Sequence, residues 1–368
     1  MVGCRRTSHE VRHSVITVGV LLVTAASLVA CTGQRPTFDS MSGIATTSTV
    51  SATVGTNPDQ RPTLAALAEQ CRSAGASVGI GGVLFTGVDH SGVLEAFQAT
   101  YPGVHVAADL AADINPDVIE AGPSEVQSMI DAGQSVDYTP SFAAEVPSVA
   151  KGRPVWAYSS MVVFAIDRTR VARVPTSFQA LNNAAYAGQA HLVGDPRSDP
   201  QARAVVMAAS MAAGGDPSDT ARGSKYFASA TQAGVFVADQ DAPIAVGTTT
   251  SLRATIERWQ GLGHEVTLWF PADGLAGVPY TAMLMRGTEH QACGRLWIEH
   301  LLSDDGGLSM LLAHTIPARL ASLRDRGLLT ADMVAMVPTA AQWSKAVQFT
   351  DAQLHAAQSG IDESVVWK

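Results

Sequence analysis

Lysine is nearly missing from this 368-residue chain, confined to Lys151, Lys225, Lys345 and Lys368. The formal net charge is −9; residues 1–31 hold Arg5, Arg6 and Arg12 against Glu10, contributing +2, so the rest carries −11. A body of that sign argues against nucleic acid as a partner, because phosphate binding needs a basic surface. It does not argue against a small anion in one local pocket. Only four cysteines occur, Cys4, Cys31, Cys71 and Cys293, and no two form C-x-x-C, which excludes a zinc ribbon or a thioredoxin-type site. The body lacks a P-loop and an H-E-x-x-H pair; Gly75-Ala76-Ser77-Val78-Gly79 spells G-x-S-x-G, but it leads into an expected strand, whereas a nucleophile elbow stands at the turn from a strand into a helix, and Gly79-Ile80-Gly81-Gly82 lacks the third spacing of a dinucleotide loop. An enzyme therefore has no recognisable carrier here. His290, Cys293 and His300 are too spread along one helix to converge on an ion, so no metal site is expected.

What is present begins with a leader. Three arginines precede an uncharged, mostly apolar stretch at 15–30, which is shorter than the ~20 residues of a spanning helix. A basic head, a short apolar run and small residues before a cut site describe a secretory signal. His9-Glu10-Val11-Arg12-His13 spells a zinc-protease pattern, but inside a segment expected to be removed. Residues 32–62, rich in Ser, Thr, Gly and Pro, read as a flexible tether.

From residue 63 strands and helices alternate, which predicts an α/β fold with largely parallel sheets. Leu64, Leu67, Ala68 and Cys71 share one helical face, as do Val93, Leu94, Phe97 and Tyr101, and later Leu252, Ile256 and Trp259. Strands are expected over 78–85, 104–107, 117–120, 155–166, 190–194, 235–238, 244–247, 266–270 and 280–285. Helices are expected from a capping box at Ser124-Glu125-Val126-Gln127, near Phe178 and Leu181, and over 201–213, 292–302 and 308–313. Four strand ends run into short polar or Gly/Pro loops: Thr86-Gly87-Val88-Asp89, Ala121-Gly122-Pro123, Asp195-Pro196-Arg197-Ser198 and Gly247-Thr248-Thr249-Thr250. Open α/β sheets bind ligands at that edge, where helix N-termini favour anions. The same residue types also make ordinary turns and caps. Met207, Met211, Met283 and Met285 read as core, and Trp156 as core or as a stacking surface.

Leu28-Val29-Ala30-Cys31 resembles the bacterial lipobox, whose cysteine is lipidated and becomes the mature N-terminus. That resemblance implies acyl anchoring of Cys31 without a spanning helix, at the outer face of the cytoplasmic membrane. The body resembles the extracellular solute-binding proteins of ABC importers, in the type II periplasmic-binding branch of iron(III), polyamine, thiamine and phosphonate binders. The resemblance runs over about 76–320. It rests on Val83-Leu84-Phe85-Thr86-Gly87, Tyr101-Pro102-Gly103-Val104, Asp117-Val118-Ile119-Glu120-Ala121-Gly122, Val174-Pro175-Thr176-Ser177-Phe178, Leu268-Trp269-Phe270-Pro271-Ala272-Asp273-Gly274 and Leu301-Leu302-Ser303-Asp304-Asp305-Gly306-Gly307. It implies two lobes joined by crossing strands: residues 63–162 with 277–368, and 163–276, after a signal peptide at 1–31 and the tether. The 106–117 connection is shorter than the family's usual, and 320–368 has no close counterpart. By motif position the ligand residues are Thr86, Gly87, Asp89, Gly122, Tyr158, Ser159, Arg197, Ser198, Thr248, Thr249, Asp273 and Tyr280. Arg197 would suit an anion, whereas Asp89, Asp273 and the aromatics would suit a cation. Tyr280 lacks the neighbouring tyrosine of the iron binders. Cys71 and Cys293 are either bridged or separate thiols. The resemblance further implies a cofactor-free monomer whose partners are a small-molecule or ion solute, a membrane permease and the lipid anchor. The alternative is a bilobed sensor for a membrane receptor.

Overall fold

The computed structural model describes residues 61–82, 91–108, 115–146 and 154–361. The lipobox with Cys31, the tether, and Thr86, Gly87 and Asp89 lie outside the described residues. None of the described helices is long and apolar enough to cross a membrane.

Two long strands organise the chain. β4 (Val155–Asp167) and β8 (Ala276–Leu284) pair antiparallel through Val155–Met161. Around them lie β1 (Ser77–Gly81), β2 (His105–Ala107), β3 (Val118–Ala121), β5 (Ala190–Leu192), β6 (Ile244–Thr248) and β7 (Val266–Trp269), with short pieces β9 (Ile316–Pro317) and β10 (Val347–Gln348). The sheet order is β2-β1-β3-β8-β4-β6-β5. β4 changes partners part-way: up to Met161 it pairs with β8, and from Val162 to Ile166 it pairs with β6, with β7 on its other edge from Phe164. One half-sheet is thus β2-β1-β3-β8 with the start of β4, and the other is the end of β4 with β6, β5 and β7. The β2-β1-β3 pairs are parallel, as are β5-β6 and the short β10-β8 pair, whereas the two long strands are antiparallel to each other and to β3, β6, β7 and β9. Twelve of the thirteen β4 residues are buried and only Trp156 is half-covered. That is why 155–166 reads as a continuous apolar run instead of an alternating one.

Helices cover both faces. α1 (Arg61–Ser73) packs on α8 (Gln291–Leu301), and α2 (Ser91–Thr100) on α9 (Asp304–Leu312). Cys71 and Cys293, both fully buried, join α1 to α8 in a disulfide with S–S 2.06 Å. α3 (Pro123–Asp131) follows β3, α4 (Phe178–Leu181) is one turn, and α5 (Pro200–Ala212) follows β5 and packs on α6 (Ala221–Gln232). α7 (Arg253–Gly261) buries Ile256 and Trp259 behind Leu252. The tail forms α10 (Leu320–Asp325), α11 (Ala331–Ala335), α12 (Ala340–Trp343) and α13 (Asp351–Ser359). The described residues all fall in one unit, Val50–Lys368.

Several expectations needed correction. Helix α3 starts not at a Ser124 box but on Gly122 as N-cap with Pro123 in its first turn, because Pro pre-sets the first helical φ. The 235–238 segment is no strand: Phe236 alone bridges Ala190, since β5 is three residues long and the chain then turns over Asp239–Ala242. β5 ends at Leu192, short of Gly194, whose φ of +85° takes the chain out of the sheet. β2 is an exposed edge rather than a buried strand. β8 starts four residues before Tyr280, and α9 starts at Asp304, capped by Ser303 accepting from the Gly306 N–H at 3.1 Å. Helix α6 escapes an apolar pattern because its inner stripe includes Gly223 and Ser224. A Cβ on Gly223 would stand 2.1 Å from the Val206 carbonyl oxygen of α5, so small residues are what let these helices touch.

Candidate functional site

The site grows from strand ends where the two half-sheets meet. β3 ends in Ala121 and hands over to α3 through Gly122, whose position for a Cβ lies 4.0 Å from the Tyr280 ring. Tyr280 sits on β8, and its ring stacks on Tyr158 of β4 with centroids 5.6 Å apart and planes 26° apart. These two strands supply the floor. From the other half-sheet come the end of β6, with Thr248, and the first turn of α5, with Gln201.

A polar chain runs across the junction. The Gln201 amide nitrogen donates to the Tyr280 hydroxyl, and the Thr248 hydroxyl donates to the Gln201 amide oxygen at 2.7 Å. Below them the Tyr158 hydroxyl donates to Glu120 at 2.6 Å, and the Trp297 indole N–H donates to the other carboxylate oxygen at 2.6 Å. Glu120 and Tyr158 are fully buried, and such groups must be hydrogen-bonded to be tolerated. Ser160 and Thr250, 2.5 Å apart, make a second hydroxyl link between β4 and the loop after β6. Burial holds the Tyr280 phenol well above its ordinary value; the Glu125 and Asp199 carboxylates add to the rise and the Gln201 bond opposes it. Burial and then the Glu120 charge do the same to Tyr158. Both stay protonated at neutral pH, Tyr158 as donor to Glu120 and Tyr280 as acceptor from Gln201. Glu125 is raised by burial, tempered by the Gly122 N–H that its carboxylate accepts.

The remaining candidates are placed elsewhere. Arg197 lies exposed against Asp195, its Nε 2.9 and 3.0 Å from the two carboxylate oxygens, and this bond lowers the Asp195 pKa. Ser198, also exposed, only reaches the Asp195 carbonyl oxygen at 3.5 Å. Asp273 accepts the N–H groups of Phe178 and Gln179 at 2.9 and 3.0 Å, holding the start of α4. The Ser159 hydroxyl donates to Gln348 of β10 at 2.8 Å. Thr249 accepts the Met161 N–H at 3.2 Å and faces Leu268, Leu311 and His314. Ser159 and Thr249 point away from Ser160 and Thr248 because side chains of neighbouring extended residues face opposite sides. The structure therefore brings together Gly122, Tyr158, Tyr280 and Thr248, and adds Gln201, Glu120, Ser160, Thr250 and Trp297, which sequence reasoning did not select. The rule that ligands meet strand ends stops at the loop. Gln201 sits just past the 195–200 loop, so extending that rule by one helical turn would have reached it. Trp156, half-buried, donates to the Tyr158 carbonyl at 2.9 Å and neighbours Trp343. Among the described residues no His, Cys, Asp and Glu group is arranged to hold a metal.

The profile of bacterial extracellular solute-binding proteins matches residues 93–307. The chain belongs to that family. Solved structures place this solute-binding protein's fold as the two-lobed, type II periplasmic-binding architecture. A spermidine/putrescine transporter substrate-binding protein from Streptococcus pneumoniae matches with TM-score 0.58 at 12% identity, covering 77% of this chain and 97% of that one. Iron-bound HitA from Pseudomonas aeruginosa matches with TM-score 0.54 at 15% identity over 77% and 97%. An ABC transporter protein from Clostridium perfringens matches with TM-score 0.55 at 14% identity over the same shares. At such identities the likeness is one of fold. A comparison with curated protein sequences returns no match. The family places this solute-binding protein outside the cytoplasm.

Proposed function

We propose that this chain is the solute-capturing lipoprotein of an ABC importer, held by acyl chains on Cys31 at the outer face of the cytoplasmic membrane. It closes two lobes, 63–162 with 277–368 and 163–276, on a small solute and hands that solute to a permease. Hinge closure is the device for this, and β4 supplies a shared strand whose partners change between Met161 and Val162. The observation that carries the reading is the convergence of Gly122, Tyr280, Gln201 and Thr248 from both half-sheets on one spot.

The solute class follows from what lines that spot among the described residues: hydroxyls and an amide. Of the charges expected to choose between an anion and a cation, Arg197 and Asp273 are engaged with Asp195 and with α4, and Asp89 lies outside the described residues. The solute is accordingly a small polar molecule recognised mainly through neutral donors and acceptors. Thermal-shift screening of the purified protein against polyols, amino acids, polyamines, phosphonates and thiamine tests this, because a ligand of the folded form raises the melting temperature by mass action. The true solute raises it for the wild type and much less for Tyr280→Phe or Thr248→Val. A ligand whose shift survives both substitutions but vanishes in Arg197→Ala would overturn the site. Membrane fractionation of Cys31→Ala tests the anchor: the protein should leave the membrane fraction.

A further inference from the structure

The tail after the family match, beyond residue 307, contains a segment that touches both halves of the molecule. β10 lies parallel against the start of β8, where Val347 N–H donates to Leu275 and Phe349 N–H to Gly277. Gln348 accepts from Ser159 of β4 at 2.8 Å. The chain then enters α13 through a complete Thr350/Gln353 capping box. Helix α13 packs against α3, which follows β3, and against α5, which follows β5. Those two helices belong to different half-sheets.

A helix of nine residues is marginal alone, so tertiary contact must hold it. Phe349 (1% exposed), Ala357 (0%) and Ile361 (9%) supply that contact within the main core cluster, with Leu354 beside them. Gly360 closes the end of α13 against Thr220, the residue that opens α6. A Cβ at Gly360 would come 2.6 Å from the Thr220 hydroxyl, which is buried and has no hydrogen-bond partner among the described residues. Moving α3 and α5 apart therefore requires α13 to leave one of them.

We infer that α13 is a strap across the lobe seam, which restrains opening and must be released from one side before solute can exchange. The inference rests on the two-lobe reading and goes beyond it, since it assigns the tail a control over how far the lobes part.

The test uses the full chain without solute. Ala357→Arg puts a charge into a site with no space for it, and Gly360→Val strains only the contact with Thr220. The second variant carries the test should the first not fold. Small-angle scattering and hydrogen exchange read the result. A larger radius of gyration is expected, with amides of α3 and of the first turn of α5 exchanging on the order of tenfold faster while α1 and α8 keep wild-type protection. The strap is overturned if α13 amides exchange as free chain in either variant and the radius of gyration stays at the wild-type value. If a solute found by the screen still compacts such a variant, the strap alone fails. If neither strap release nor solute alters the radius, the capture reading fails with it.

Discussion

The Gln201–Tyr280 bond is the place to measure how firmly the two half-sheets hold each other. Gln201→Leu keeps most of the bulk and deletes both polar ends of the side chain, so the buried hydroxyls of Tyr280 and Thr248 lose that partner. A buried hydroxyl left unsatisfied costs about 1–3 kcal/mol. Thr248 keeps Ser251 within 3.2 Å, so the Tyr280 hydroxyl dominates the loss, and about 2 kcal/mol is expected. Tyr280→Phe removes the hydroxyl and preserves the stack on Tyr158, for a loss of about 1 kcal/mol. The double variant has no stranded hydroxyl at position 280, so it should lose less than the sum of the two, with a coupling of about 1 kcal/mol. Urea unfolding followed by tryptophan fluorescence measures all four proteins. Additivity to within about 0.3 kcal/mol would refute the claim that this bond joins the halves.

Three further outcomes follow from the same structure. Because Cys71 and Cys293 are fully buried and close a separation of 222 residues, the chain-entropy relation puts loss of the bridge at up to about 5 kcal/mol. Cys71→Ala/Cys293→Ala should lower the melting temperature by several degrees, and the native wild type should resist reductant until denaturant is added; an unchanged melting temperature would contradict this. Burial among Phe97, Tyr101 and Trp297 drives the His300 pKa from 6.5 down to about 3. The unfolded chain thus binds the extra proton between those values. The stability His300 confers is complete above pH 6.5 and is lost as pH falls through the window, at up to about 1.4 kcal/mol per pH unit. His300→Phe should flatten the acid limb of a stability–pH curve by roughly one proton, and an identical slope would refute the assignment. Asp273→Ala strips two N–H groups of their acceptor at the start of α4 and should cost about 0.5–2 kcal/mol. Solute shifts measured on the folded variant should stay at wild-type size, whereas their loss would return Asp273 to the binding site.

Periodicity and turn chemistry are local properties, and what depends on them was legible in the linear order. The alternation of strand and helix, the buried run that became β4, the helical faces of α1, α2 and α7, and the loops after β3 and β6 all follow from side chains a few residues apart. The charge balance and missing motifs could likewise be read without coordinates. Helix α6 was not legible, because its inner face is made of small residues that gain meaning only against the Val206 carbonyl. The tail helices are short and owe their places to partners far away in sequence. The site shows the same division. Gly122, Thr248 and Tyr280 could be chosen by position along the chain. Whether Arg197 would face the junction or turn onto Asp195, and whether Asp273 would meet a solute or the start of α4, depended on which groups the fold set within 3 Å of each carboxylate. A hydrogen bond acts over that distance only, so its partners are decided by packing between segments up to hundreds of residues apart, as Glu120 and Trp297 are.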